Sequence, residues 1–280
     1  KAIIILDSIT RINNRSNTYK LALERKERIR SKSINIQLQK YTYNEENIRA
    51  YINYKNVDQL KISFYRISQK QLKEYENNST QKKDLVDSII QKEPLLSSKF
   101  YSLKNKKDYF EYSTEILLPN LKTGSYLVYF ESESDTKDKK AFAFETITTS
   151  NISVLASQND SKETFQVLDR KTGKPLENAT IKSLRFNIQT DKDGLASYKK
   201  DSIYNYKTIE LSHANDTILI SKNYIQYSNI YNENEKEDSN GKVEFFLDRA
   251  IYRPGQTVYY KGIAIQKNKN KTNSVLQPFT

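Results

Sequence analysis

From Ser33 onward, hydrophobic and polar residues alternate with a period of two, which is the pattern of half-buried β-strands. The large apolar residues are mostly Ile, Leu, Phe and Tyr, and the residues between them are mostly Lys, Asn, Ser and Thr. A sheet with one wet face needs this arrangement, because its inward side chains are apolar and its outward side chains polar. Alternating segments follow one another at residues 34–38, 48–52, 60–67, 111–118, 126–131 and 142–146. The pattern predicts an antiparallel β-sandwich.

A second alternating region begins near Asn151. Its strands are separated by turn-forming stretches at Thr172–Leu176 and Thr190–Gly194, which supply the Gly, Pro and Asp that tight turns favour. The region from residue 151 to residue 228 is expected to hold about seven strands, with a turn every 8–12 residues. This number and spacing are typical of an immunoglobulin-like sandwich. The fold class predicted for the chain is therefore mainly β, with tandem immunoglobulin-like antiparallel β-sandwiches.

Residues 1–30 differ from the rest of the chain. Apolar positions there have the three-to-four spacing of amphipathic helices, among good helix formers and without Gly or Pro. The polar run Asn13–Asn17 interrupts the pattern, which predicts a helical hairpin. We expect this short helical segment to be the end of an upstream helical region.

Together these patterns divide the chain into five parts. The first sandwich is expected to contain a long helical insertion, because the strand pattern is lost from about residue 69 to residue 108. The acidic, Asn-rich stretch before residue 241 has the composition of a linker. The predicted parts are a helical segment at 1–30, a first sandwich at 31–150, a second sandwich at 151–228, a linker at 229–240 and the start of a truncated third sandwich at 241–280. The chain begins without Met and ends without a closing element, so we expect it to be a fragment.

Composition removes several classes of function. The chain has no Cys and one His, which excludes thiolate zinc sites, cysteine nucleophiles and multi-histidine metal sites in this stretch. The formal charge is +12, but acidic residues interrupt the basic runs, as in Glu24–Arg28, so we expect no nucleic-acid partner. No apolar run approaches the ~20 residues that span a bilayer.

Candidate chemistry is sparse. Asp191 and Asp193 before Gly194 resemble the opening of a calcium loop, but Ser202 stands where the loop requires Glu. Turn formation is the better interpretation. His213 has no Ser or Cys partner in any motif and is expected to be a polar surface residue. We therefore predict that the chain is not an enzyme and holds no cofactor or metal.

The most specific run in the chain lies between two predicted strands, at residues 245–262. Pro254 and Gly255 suit the central positions of a type II turn. Asp248 and Arg249 flank the corner and are expected to pair with each other or with Arg253. The six residues Asp248, Arg249, Tyr252, Arg253, Pro254 and Gly255 form the signature of this corner, and we assign them a structural role.

This run, Asp-Arg-x-x-Tyr-Arg-Pro-Gly-x-x-Val, resembles the start of a macroglobulin domain in the bacterial alpha-2-macroglobulin family, particularly its Bacteroidetes-type members. The stretch from Val167 to Ala179, with Thr190–Gly194, is similar to the domain that commonly precedes it, and it also resembles carboxypeptidase-regulatory-like domains of envelope proteins. Segments of the first predicted sandwich, among them Leu118–Tyr126, agree with this resemblance, which covers about residues 30–265.

The resemblance implies a non-enzymatic scaffold of a protein that inhibits proteases by trapping them through a conformational change. Its expected location is the periplasm or cell envelope, and association with the outer membrane is compatible with the resemblance. Partners would be proteases or other envelope proteins, with membrane anchoring through a part outside this fragment. The thioester of many family members requires Cys, which this sequence lacks, and no bait segment is identifiable. The alternative is a structural or interaction array of sandwiches in an outer-membrane or secretion assembly.

Overall fold

The computed structural model describes residues 2–12, 16–78, 81–133, 140–158, 162–199, 208–222, 226–228, 242–249, 251–253, 255–267 and 273–275. The helices are α1 (Ala2–Ile12), α2 (Asn17–Arg30), α3 (Gln69–Asn77) and α4 (Lys82–Lys92). The strands up to the end of the first sandwich are β1 (Ser33–Leu38), β2 (Tyr41–Thr42), β3 (Ile48–Lys55), β4 (Gln59–Ile67), β5 (Leu95–Ser102), β6 (Glu111–Leu118), β7 (Gly124–Ser132) and β8 (Phe142–Thr149). The remaining strands are β9 (Ile152–Gln158), β10 (Lys162–Asp169), β11 (Thr180–Lys182), β12 (Asn187–Gln189), β13 (Leu195–Lys199), β14 (Thr208–His213), β15 (Asp216–Ser221), β16 (Gln226–Ser228), β17 (Lys242–Leu247), β18 (Tyr260–Lys267) and β19 (Asn273–Val275). The fold is mainly β with short N-terminal helices, which confirms the predicted fold class.

The N-terminal helices α1 and α2 pack against each other. Helix α2 begins at a Ser16 cap, whose side chain accepts a hydrogen bond from the Tyr19 backbone N–H at 3.1 Å. This bond satisfies one of the backbone donors that the first turn of a helix leaves without a partner. Lys26 of α2 forms an ion pair with Asp7 of α1. Most of the predicted interruption, at 13–15, lies outside the described residues.

The first sandwich consists of a three-stranded sheet in the order β1-β3-β6 and a five-stranded sheet in the order β2-β8-β7-β4-β5. Alternate residues of β3 point into the core, and those of β4 face them from the other sheet. This is the period-two pattern read from the sequence. The fully buried side chains that form the centre of this core include Ile48, Ile52, Leu60, Ile62, Phe64, Leu118, Val128, Phe130 and Ile147.

One segment differs from the sequence prediction. Residues 95–102 were expected to belong to the helical insertion, but they form strand β5, which pairs antiparallel with β4 at the edge of the five-stranded sheet. Almost every residue of β5 is solvent-exposed. An edge strand without a buried face has no alternation of hydrophobic and polar residues, so the sequence pattern could not reveal it.

The second sandwich pairs a sheet in the order β13-β10-β9-β16 with a sheet in the order β12-β11-β14-β15. Its core is separate from that of the first sandwich. Strand β16 joins its sheet parallel to β9, whereas the other pairings within these two sheets are antiparallel. The largest contributions to this core come from Ile152, Phe165, Val167, Ile181, Ile209, Leu211, Ile218 and Ile220.

Strands β17, β18 and β19 form a fifth, three-stranded sheet, which we call the C-terminal sheet. Its apolar residues are largely uncovered: Phe245 is 61% exposed and Tyr260 66% exposed. The two rings contact each other edge to face, with centroids 5.5 Å apart. This sheet therefore differs from the other four, which bury one face in a sandwich core.

Candidate functional site: the joints between the sandwiches

The first and second sandwiches meet through strand β15. Ile218 and Ile220 of this strand face the core of the second sandwich, and Leu219 between them points the opposite way. Leu219 is only 6% exposed, because it inserts into an apolar cluster made by the first sandwich and its two inserted helices. The other buried members of this joint cluster are Tyr65, Ile67, Leu72, Tyr75, Val86, Ile89 and Leu127. Strand β15 is thus buried on both faces.

The chain segment that connects the two sandwiches is held by the second one. Asp216, the first residue of β15, accepts hydrogen bonds through Oδ2 from the Ser150 hydroxyl at 2.9 Å and from the Asn151 backbone N–H at 2.8 Å. Ser150 is buried. The connection between the sandwiches is therefore part of the packed joint.

Arg170, which follows β10, closes the same joint. Its guanidinium donates to the Ser150 carbonyl at 3.1 Å and to the Ile152 carbonyl at 2.6 Å, and it lies 6.0 Å from the centre of the Tyr41 ring. Burial lowers the pKa of Arg170, and nearby Tyr41 and Asp216 oppose that effect. A planar guanidinium with several donors suits this task, because one side chain satisfies two carbonyls.

The turn that contains Arg170 is built by its neighbour Asp169. The Asp169 carboxylate accepts hydrogen bonds from the Thr172 backbone N–H at 2.8 Å and hydroxyl at 2.7 Å, and these bonds hold the pKa of Asp169 below its ordinary value. Gly173 then adopts φ +70°. Lys171 leaves the turn toward the first sandwich, where its Nζ lies 3.1 Å from a carboxylate oxygen of Glu45. In this motif the Asp shapes the turn, and the Arg and Lys contact the first sandwich.

The signature corner between β17 and β18 is organised by Asp248. Its carboxylate accepts hydrogen bonds from the Tyr252 hydroxyl and, at 3.1 Å, from the Tyr259 backbone N–H. Its other oxygen lies 3.3 Å from the Arg249 side chain, so the structure places the expected Asp248–Arg249 pair together. The bond from Tyr252 is the main reason that the pKa of Asp248 is lowered. Gly255 has φ +81°, the value that the third position of a type II turn requires; Pro254 lies outside the described residues.

Of the two expected pairings, the structure has Asp248 with Arg249, and Arg253 has a different partner. It reaches across to strand β6 of the first sandwich, where it donates to the Glu115 carbonyl at 3.0 Å and lies 3.5 Å from the Glu115 carboxylate. The other carboxylate oxygen of Glu115 accepts a hydrogen bond from Arg49 at 2.8 Å. The Glu115 side chain is 9% exposed, so it lies between two guanidinium groups. The sequence pattern did not single out Glu115 or Arg49, because a charged residue on a half-polar strand looks like ordinary surface.

The structure also places the two remaining candidates, Asp191 and His213. The Asp191 carboxylate accepts hydrogen bonds from the Asp193 backbone N–H at 3.0 Å and the Leu195 backbone N–H at 2.9 Å, which is the use of Asp expected in a turn. His213 ends strand β14, opposite Asp216 in the register of β15. None of the helices in the described residues has the length and hydrophobicity needed to cross a bilayer.

The arrangement of cores, sheets and joints can be compared with known proteins. No protein-family model and no curated protein sequence matches the chain. A solved structure of native alpha-2-macroglobulin from Escherichia coli, spanning domains NIE-MG1, matches 69% of this chain and 98% of its own, with 16% identity and a TM-score of 0.50. The chain has an alpha-2-macroglobulin-like, macroglobulin-domain fold.

Two longer structures of the same Escherichia coli protein are also similar to the chain. The structure spanning domains MG0-NIE-MG1 has 15% identity and a TM-score of 0.49, and this chain covers 64% of it. The trypsin-activated protein has 15% identity and a TM-score of 0.46, and this chain covers 19% of it. The macroglobulin-like chain thus spans only part of these structures.

Proposed function

We propose that this chain is the non-enzymatic scaffold part of an alpha-2-macroglobulin-like protein of the bacterial envelope, of the Bacteroidetes type, and that the protein inhibits proteases by trapping them through a conformational change. Its partners would be proteases, and its place would be the periplasm or cell envelope. The macroglobulin-like fold and the Asp-Arg-x-x-Tyr-Arg-Pro-Gly corner support this proposal.

One observation carries the mechanical part of the proposal: the two joints differ in strength. Leu219 and Arg170 bury apolar surface and polar groups where the first two sandwiches meet. Among the described residues, the C-terminal sheet reaches the first sandwich through Arg253, whose side chain is 57% exposed and pairs with the 9% exposed Glu115. Glu115 also accepts a hydrogen bond from Arg49, so it keeps a cationic partner when Arg253 leaves. Such a partly exposed ion pair contributes about 1 kcal/mol, whereas a buried Leu contributes about 1.5–3 kcal/mol.

The first two sandwiches therefore form one unit, and within the part of the chain that the structure describes, the C-terminal sheet is held to this unit by the weaker contact. In a protein that traps a protease after cleavage elsewhere, such a joint lets one module move without unfolding its neighbours. The function of this chain is then to hold the stable end of a moving structure. Interfaces between modules of one chain are often modest and polar, as this one is.

The test is to treat the full-length protein with a broad-specificity protease and to follow its shape by small-angle X-ray scattering. We expect the particle to become more compact and the protease to stay bound on a native gel. Arg253→Gln should speed the change, because it removes the ion pair with Glu115. Lys171→Gln is the matched control, since it removes an exposed ion pair within the stable joint. Unchanged scattering together with no retained protease would contradict the proposal and favour a static array of sandwiches.

A further inference from the structure

The loop between β5 and β6, residues 103–110, displays two adjacent aromatic rings to solvent. Phe110 is 70% exposed and Tyr109 is 40% exposed. Tyr109 has φ +64° and Lys107 has φ +57°, in the left-handed region that large side chains rarely adopt. Backbone of this kind persists only where surrounding contacts impose it.

Hydrogen bonds within the loop impose this conformation. The Asp108 carboxylate accepts a hydrogen bond from the Phe110 backbone N–H at 3.1 Å and another from the Tyr112 hydroxyl. The Asn105 side chain accepts one from the Lys107 backbone N–H at 2.9 Å. The loop is therefore organised around its polar residues, and its two aromatic rings remain outside.

The loop is also tied to the turn between β3 and β4. The Asp58 carbonyl accepts the Leu103 N–H at 2.7 Å, and the Asp58 carboxylate lies 2.6 Å from Lys107 Nζ. The Tyr54 hydroxyl donates to the Lys104 carbonyl at 2.9 Å. These contacts present the rings from a fixed base on the first sandwich.

Basic side chains surround this base. The end of helix α2 docks on the same β3–β4 turn, where Lys55 donates to the Arg28 carbonyl at 2.8 Å and Asn56 to the Ile29 carbonyl at 2.9 Å. Among the described residues, the basic ones at this end of the molecule are Arg28, Arg30, Lys32, Lys55, Lys104, Lys106 and Lys107. The acidic ones are Glu27, Asp58, Asp108, Glu111 and Glu133. Lys107 pairs with Asp58, whereas Asp108 accepts its hydrogen bond from a neutral hydroxyl and keeps its negative charge. Lys106 Nζ lies 5.6 Å from the centre of the Tyr112 ring. Lys104 and Lys106 are both exposed, so positive charge in excess of the local carboxylates lies next to the rings.

We propose that the loop at residues 103–110 is a docking site for an anionic lipid surface. Phe110 and Tyr109 enter the boundary between headgroups and acyl chains, where an apolar ring and a phenol hydroxyl are both accommodated. Lys104, Lys106 and the arginines at the end of α2 remain at the level of the headgroups and attract acidic lipids. The formal charge of +12 adds attraction at longer range.

The test is co-sedimentation of the whole chain with vesicles of phosphatidylcholine mixed with phosphatidylglycerol, beside vesicles of phosphatidylcholine alone. We expect binding to the acidic vesicles that weakens as salt is added. Phe110→Ser should weaken binding about tenfold or more, as expected for withdrawal of a buried ring. Lys104→Gln and Lys106→Gln should each weaken it about fivefold.

Matched controls come from the second sandwich. Leu184→Ser removes an apolar side chain that is 89% exposed, and Lys192→Gln removes an exposed lysine at a turn. Both should bind acidic vesicles like the unaltered chain, and all variants should keep its thermal midpoint. The proposal is overturned if the chain ignores acidic vesicles, or if Leu184→Ser lowers binding as much as Phe110→Ser. The proposal is also overturned if soluble polyglutamate binds the chain as tightly as acidic vesicles do and Phe110→Ser does not weaken this binding. That result would identify an acidic polypeptide as the partner.

Discussion

Replacing Leu219 with Ala tests whether the joint between the first two sandwiches is a packed interface. The side chain is 6% exposed and is surrounded by large apolar residues of the first sandwich and of α3 and α4. Removing a buried Leu side chain costs about 2–5 kcal/mol, because transfer energy is lost and a cavity remains. The cavity exists only while the sandwiches stay docked, so the loss cannot exceed the free energy of docking. We expect Leu219→Ala to lower the free energy of docking by about 2–3 kcal/mol, in the lower part of the range for a buried Leu.

The measurement is native-state hydrogen exchange followed by peptide mass spectrometry. Leu219→Ala should lower protection on both sides of the joint, in β15 and in helices α3 and α4, because the docked state opens more often. Leu211→Ala is the matched control, since Leu211 is fully buried in the core of the second sandwich alone. Its loss of protection should be largest inside the second sandwich and smaller in α3 and α4, the reverse of the distribution expected for Leu219→Ala.

The reasoning fails if α3 and α4 keep their full protection in Leu219→Ala. That result would mean that the two sandwiches are stable independently of each other and that their contact contributes little. The proposed division into one stable unit and one movable sheet would then lose its basis.

Three further predictions concern turns and charges. Gly173 and Gly194 share φ +70°, but a Cβ at Gly173 would meet nothing within 4 Å, whereas one at Gly194 would lie 2.5 Å from the Val167 carbonyl oxygen. Gly173→Ala should therefore lower the free energy of unfolding, measured by urea denaturation, by about 1–2 kcal/mol. Gly194→Ala should lower it clearly more, and equal losses in the two variants would refute the role given to the Val167 carbonyl. Arg170→Met should lower the free energy of unfolding by about 2–4 kcal/mol, because two buried carbonyls lose their hydrogen-bond donor. Arg170→Lys should restore part of this free energy. Equal stability of the two variants would contradict the role assigned to Arg170. Burial raises the pKa of Glu131, but hydrogen bonds from Lys140 and Lys61 outweigh this effect and lower it below its ordinary value of 4.5. A lowered carboxylate pKa stabilises the fold above the unfolded value, so stability should fall as the pH drops below about 4.5, and Glu131→Gln should flatten that dependence in thermal melts.

Much of the fold was predictable because strands with one buried face show an alternation of apolar and polar residues in the sequence. The alternation in β3 and β4 identified which residues face the first core. The Pro-Gly pair at 254–255 predicted a turn with Gly at a positive φ, and Gly255 has φ +81°. The edge strand β5 shows no such alternation because neither of its faces is buried. The Asp248–Arg249 pair was also predictable, because neighbours in sequence are close in any fold.

The period of the apolar residues decides which face of each element is buried, so the N-terminal helices and the first two sandwiches could be predicted from the sequence. What covers the outer faces could not be predicted in this way. Leu219 lies between two residues that face the core of its own sandwich, and docking of the sandwiches makes it part of a second core. Arg253 and Glu115 lie 138 residues apart, and their contact depends on how whole sheets are placed. Side chains directed outward acquire their partners from distant parts of the chain, so local sequence patterns cannot predict the joints between the sandwiches.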